Sequence, residues 1–87
     1  MLTVRIIGYA TSTVKHPSLN GCKLLIAQTV GSDGVTPEGD VHLVVDRDIG
    51  AGIGDKCFVV NDGGWNAQLL NNRYTPARNV VMGIVDE

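Results

Sequence analysis

The sequence predicts an all-β fold, a small five-stranded barrel carrying one short helix. Three observations point there. Leu2, Val4 and Ile6 alternate with Thr3 and Arg5, the period of a half-buried strand. Short apolar runs recur along the chain between clusters of glycine, proline, asparagine and aspartate, which is turn chemistry. Helical spacing is confined to Trp65, Ala67, Leu69 and Leu70, about two turns.

The first strand starts at Leu2, is interrupted at Gly8, and continues from Tyr9 to Thr13. A glycine inside a strand marks a bend or bulge, as at a barrel corner. His16 to Gly21 is a turn, and Lys23 to Val30 is the second strand. Gly31-Ser32-Asp33-Gly34 opens a loop that runs through Pro37 and Gly39. Val41 to Asp46 is the third strand and Lys56 to Val60 the fourth, with the glycine-rich stretch Asp48–Asp55 between them. Asn61-Asp62-Gly63-Gly64 suits a turn capping the helix around Trp65. Asn71-Asn72 ends that helix, and Pro76 prevents its extension. Asn79 to Val85 is the fifth strand. No repeat, linker or low-complexity segment interrupts the pattern, so residues 1–87 read as a single domain.

Composition adds a second message. The chain has 87 residues, of which 44% are hydrophobic and 18% charged. A domain of this size buries only roughly 60–65% of its unfolded surface, so its own core is thin. Leu24-Leu25-Ile26-Ala27, Cys57-Phe58-Val59-Val60 and Val80-Val81-Met82 are apolar on both strand faces. A small barrel has one interior. The helix can cover part of the outside, and a cyclic ring of identical chains is a common way to cover the rest.

The formal net charge is −2, and the seven basic residues are scattered. A nucleic-acid partner would call for a clustered positive patch. Cys22 and Cys57 belong to no CxxC motif. One disulfide between them is an open alternative, and reduced thiols acting as small buried hydrophobes are the preferred reading. No apolar run approaches the ~20 residues of a membrane span. Met1 leads straight into a strand pattern without a signal sequence, so the expectation is a soluble cytoplasmic protein.

Candidate chemistry is sparse. Gly50-Ala51-Gly52-Ile53-Gly54-Asp55-Lys56 fails as a phosphate loop, because Asp55 separates Gly54 from Lys56 and Cys57 follows. A tight turn or close backbone approach explains the glycines better. His16 sits in a turn and His42 on what reads as the polar phase of a strand, and neither has a partner at ligand spacing. Asp46, Asp48, Asp55, Asp62 and Asp86 bracket strand ends, where solvated turn residues normally fall. Ser12, Ser18 and Ser32 lack a nucleophile motif. Trp65 reads as a core or interface contact. No catalytic, cofactor-binding or metal-ligating residue is assigned, and the chain is not read as an enzyme.

Four stretches, in order, resemble one family. Thr11-Ser12-Thr13-Val14-Lys15 matches a Thr/Ser-rich end of the first strand. The segment from Pro17 to Leu25 resembles "sLxGxKLLLV". The segment from Val45 to Gly54 resembles "avDxvGAGxGe", and Val81 to Asp86 resembles "vvGIVD". The chain thus resembles the pentameric vertex proteins of bacterial microcompartments, from ethanolamine- and propanediol-utilisation compartments and carboxysomes. It departs from the family's "GSSAR"-like helix start, where it has Gly63-Gly64-Trp65-Asn66-Ala67-Gln68. The spacing before the glycine loop is one residue longer, at Arg47-Asp48, and several relatives continue past the position of Glu87.

The resemblance implies an oligonucleotide-barrel (OB)-like fold assembled as a homopentamer. Such rings cap the fivefold vertices of a polyhedral shell in the bacterial cytoplasm, against hexameric shell proteins. Hexagons tile a plane, and pentagons supply curvature. Subunit packing or a pore region is then expected at Asp48, Ile49, Gly50, Ala51, Gly52 and Gly54, with Trp65 as a further contact. Two alternatives are a nucleic-acid-binding barrel module and a small ligand-binding or enzymatic barrel using the ring opening. Low aromatic content, 5%, and acidic net charge oppose the first, and no motif supports the second.

Overall fold

A computed structural model describes residues 2–10, 17–19, 21–61, 70 and 79–86. Within them five strands close into a barrel: β1 (Leu2–Ala10), β2 (Lys23–Val30), β3 (Pro37–Asp46), β4 (Lys56–Val60) and β5 (Val80–Ile84). The order around the barrel is β1-β2-β3-β5-β4, and β4 closes back on β1. All pairings are antiparallel except β3 with β5, which meet in parallel at Val45 and Val80. A 3-10 turn, Pro17–Leu19, precedes β2.

Alternation drives the packing. Val4 and Ile6 of β1, Leu25 and Ala27 of β2, Val44 of β3, Cys57 and Val59 of β4 and Val81 of β5 point inward and form the barrel core. Each valine, leucine or isoleucine among them contributes roughly 1.5–3 kcal/mol when fully buried. A second cluster lies outside the barrel wall. There Leu19, Val45 and Val80 pack together, with Cys22, Leu24 and Leu70 against them. The expectation that some strands are apolar on both faces is met on β2, where Leu25 and Ala27 enter one cluster and Leu24 the other.

The second and fourth strands fall where the sequence places them. The first strand carries the irregularity expected at Gly8: it runs from Leu2 to Ala10 with a bulge, where the register with β2 shifts between Ile6 and Gly8. The third strand begins earlier than expected, at Pro37 instead of Val41. Pro37 pairs with Val30, and the register then shifts before Val41 meets Gln28. Gly39 lies in this irregular stretch with φ of 111°, a conformation glycine accepts readily. The fifth strand is Val80–Ile84, with Asn79 and Val85 just outside it. Asn79 O still accepts from Val45 N–H, and Val85 N–H donates to Lys56 O. The expected helix around Trp65, and Thr11 to His16, lie outside the described residues.

The phase of β3 is the reverse of the sequence reading. Val44 is buried and His42, half-buried, pairs with the buried Ala27 on the inward phase. Val41 and Leu43 therefore face outward, 59% and 56% exposed. Barrel closure imposes this phase, because β3 must supply Val44 to the interior opposite Leu25.

Candidate assembly surface

The glycine loop between β3 and β4 is pinned by two carboxylates. Asp46, the last residue of β3, is 1% exposed. Its Oδ1 accepts from Ile49 N–H at 2.7 Å, and its Oδ2 accepts from Gly50 at 3.0 Å and Ala51 at 2.7 Å. Lys23 Nζ lies 3.9 Å from Oδ2 and donates to Ala51 O at 2.7 Å. The loop thus wraps around one anion, which satisfies three backbone donors at once. Asp46 is not the solvated turn residue that the sequence reading made of it.

Asp55 supplies the second pin. Its Oδ2 accepts from Gly52 N–H at 2.8 Å, and its own N–H returns to Gly52 O at 3.0 Å. Ile6 N–H donates to Asp55 O, and Gly54 N–H donates to Ile6 O, each at 2.9 Å. Arg5 adds a clamp, donating from Nη1 to Gly54 O at 3.0 Å and from Nη2 to Val35 O at 2.8 Å.

The glycines serve different ends. Gly50 and Gly54 adopt φ of 91° and 93°, so a side chain there is strained by the backbone alone. Gly52 has no such φ; a Cβ there would sit 3.4 Å from the Tyr9 hydroxyl. Ala51 belongs to the barrel core, fully buried within its own chain. Its side chain is therefore not on the outer surface where the sequence reading grouped it with its neighbours. Asp48, Ile49, Gly50 and Gly54 are exposed and Gly52 half-buried. Asp48 approaches Arg47 at 3.7 Å in an exposed pair of little energetic weight. Trp65 lies outside the described residues.

The loop is held by hydrogen bonds to Asp46 and Asp55. It presents Ile49 and Ile53 to solvent. Among the described residues no three His, Cys, Asp or Glu side chains gather as a metal set. Burial pushes the Cys57 thiol up to about 11, with the Asp55 and Asp46 charges adding to the effect, so it is a poor nucleophile. In a second loop, the Thr36 hydroxyl and the backbone N–H groups of Val35 and Thr36 hold Asp33 down at about 2. That arrangement shapes the exposed turn before β3.

The outer barrel wall carries the rest of the surface. Ile7, Val41, Leu43 and Phe58 are exposed although the interior already has its own core, whereas Tyr9 and Ile84 are exposed on the inward phase, in register with the buried Leu25 and Cys57. Scattered exposed apolar residues are ordinary, whereas contiguous ones mark contacts. Ile26, half-buried on β2, stands in register between Gly8 and Leu43 and links the β1 and β3 members. The sequence reading missed Lys23, Asp46 and the exposed members of β1 and β3. A carboxylate three residues before the first loop amide was the available signal for Asp46.

The family model described as ethanolamine utilisation protein EutN/carboxysome matches residues 1–86. The microcompartment shell vertex protein PduN of Salmonella typhimurium is 38% identical over 91 residues, covering 99% of this chain and 96% of PduN. The carboxysome shell vertex protein CcmL of Nostoc sp. is 34% identical over 86 residues, covering 99% of this chain and 83% of CcmL. Among solved structures, the GrpN pentameric microcompartment shell protein of Rhodospirillum rubrum aligns with a TM-score of 0.81 at 32% identity, over 100% of this chain and 95% of GrpN.

Proposed function

The chain belongs to the ethanolamine utilisation protein EutN/carboxysome family, and from that premise we propose that it is a structural, non-enzymatic shell protein whose copies close into homopentamers. Each ring caps a fivefold vertex of a polyhedral bacterial microcompartment in the cytoplasm, with its rim against hexameric shell proteins. The observation that carries this reading is the outward apolar surface of a barrel whose interior is already filled. A monomer gains nothing from exposing Leu43 and Phe58, and a ring buries them.

The pinned loop supports the same reading. A contact surface that is preorganised loses less entropy on docking. Asp48, Ile49, Gly50, Gly52 and Gly54 are assigned to subunit packing or the pore region, and Trp65 to a core or interface contact. The nucleic-acid alternative finds little support. The described aromatic side chains are Tyr9 and Phe58, whereas base stacking uses several on one strand face.

Native mass spectrometry tests the ring, with five protomer masses expected and a monomer refuting it. Gly52→Leu is expected to reduce ring formation, and an unchanged oligomer mass would remove that loop from the interface. Co-expression with hexameric shell proteins tests the vertex role. Closed particles that appear only with this chain support it; open sheets or tubes with and without the chain refute it.

A further inference from the structure

Resting on the ring reading above, we infer that Phe58 of one copy seats on the outer strip Ile7–Ile26–Leu43–Val41 of the next copy. The strip is continuous by register. Gly8 pairs with Ile26, and Ile26 pairs with Leu43, while the β1 bulge leaves Ile7 exposed beside them. Val41, two residues before Leu43, extends the strip on the same outward phase of β3.

Phe58 is built as a knob. It is 41% exposed on the outward phase of β4, between Thr3 of β1 and Gly83 of β5. A Cβ at Gly83 would meet nothing within 4 Å, so the space beside Phe58 on the β5 side is open. A large aromatic anchor facing aliphatic side chains is the usual composition of a contact hot spot.

Topology sets the two patches apart. In the order β1-β2-β3-β5-β4, β4 lies across the barrel from the β2–β3 pair. The knob and the β2–β3 part of the strip, Ile26, Leu43 and Val41, therefore face away from each other on one protomer. Two different patches on opposite sides make a head-to-tail contact, the kind that closes a cyclic ring. Charge agrees in sign. Lys56 shares the outward phase of Phe58 and pairs with Arg5, whereas exposed Asp40 and Glu38 precede Val41 on β3. Opposite charge at the rim of a contact fixes orientation and excludes the reversed one.

The test uses two variants of the full chain, Phe58→Asp and Leu43→Asp, alone and mixed. Neither side chain is in the barrel core, so both variants should keep the wild-type circular dichroism spectrum; Val41→Asp replaces Leu43→Asp if that one does not fold. Native mass spectrometry should find each variant monomeric. An equimolar mixture should give a heterodimer of two protomer masses, because the Leu43→Asp chain keeps its knob and the Phe58→Asp chain keeps its strip. A ring that survives Phe58→Asp overturns the inference, as does a mixture that stays monomeric. Rings of Leu43→Asp that form but fail to close shells with hexameric tiles also overturn it, by assigning the strip to the tile contact. A wild-type chain that forms no ring sinks the ring reading itself, and the two failures are thereby distinguished.

Discussion

Replacing Asp46 by asparagine is the most direct probe of how the glycine loop is held. The carboxylate divides its work, with one oxygen on Ile49 N–H and the other on Gly50 and Ala51 N–H. Asparagine keeps a single acceptor oxygen. If that oxygen faces Gly50 and Ala51, the new NH2 group confronts the Ile49 donor. In the other orientation it confronts two donors, one of them on the buried Ala51. At least one charge-assisted hydrogen bond is lost, worth about 1.5–3 kcal/mol, and the others weaken with the charge. A total of about 2–4 kcal/mol is expected for Asp46→Asn, and about 3–5 kcal/mol for Asp46→Ala, which orphans all three donors. Lys23 limits the damage, because its side chain is 50% exposed and still donates to Ala51 O. A domain of this length has roughly 4–13 kcal/mol of stability in all. At roughly 4–8 °C per kcal/mol, the asparagine variant should melt about 8–32 °C below wild type. The assay is thermal unfolding by circular dichroism at one fixed protomer concentration, since assembly shifts the midpoint. Asp48→Asn is the control. Its side chain is 74% exposed, and the change is expected to stay within about 0.5 kcal/mol. If Asp46→Asn melts within about 3 °C of wild type, or no lower than Asp48→Asn, the account of the loop is wrong.

Three further outcomes are expected. Gly54→Ala should cost about 1–2 kcal/mol because φ is 93°, whereas Gly52→Ala should cost less than about 1 kcal/mol; equal urea midpoints would contradict the division of roles. Cys57, with its thiol pushed up to about 11, should resist a thiol reagent at pH 8 in the folded protein and react on unfolding; native labelling of Cys57 at the rate of a free thiol would refute its place in the core. Asp33 has a depressed pKa, so its contribution to the turn is present above the ordinary carboxylate value near 4 and is lost as pH falls through about 2. The amide resonances of Val35 and Thr36 should titrate with a midpoint near 2, and a midpoint near 4 would show that the turn does not hold the carboxylate.

Local patterning carried much of the fold. Lys23–Val30 and Lys56–Val60 are bounded by turn residues and need no tertiary information to be recognised as strands. The start of β3 was hidden because Pro37 and Gly39 look like loop chemistry. They belong to a strand only because an irregular register absorbs them against Val30 and Gln28. The direction of His42 was hidden for another reason. Alternation separates two faces but does not say which is inside, and barrel closure decides that. Asp46 was hidden because an acidic residue at a strand end next to glycines is normally solvated. Its burial follows from the way the loop folds over the barrel end and places Ala51 in the core. The assignment to a vertex rested on the ordered motifs, since physical patterning alone stops at an oligomeric β-barrel.

Barrel closure also limits how this protein can go wrong. Each strand has a neighbour on both sides, but β3 and β5 are paired at one position only, so most of their facing edges have no sheet partner among the described residues. The seam between β3 and β5 is the narrowest part of the wall, a single paired position at Val45 and Val80. Leu19 closes over both residues from outside, with Leu24 and Leu70 beside them. That outer cluster acts as a latch on the seam. Weakening it would loosen the one paired position that joins β3 to β5 and open the barrel along its narrowest contact.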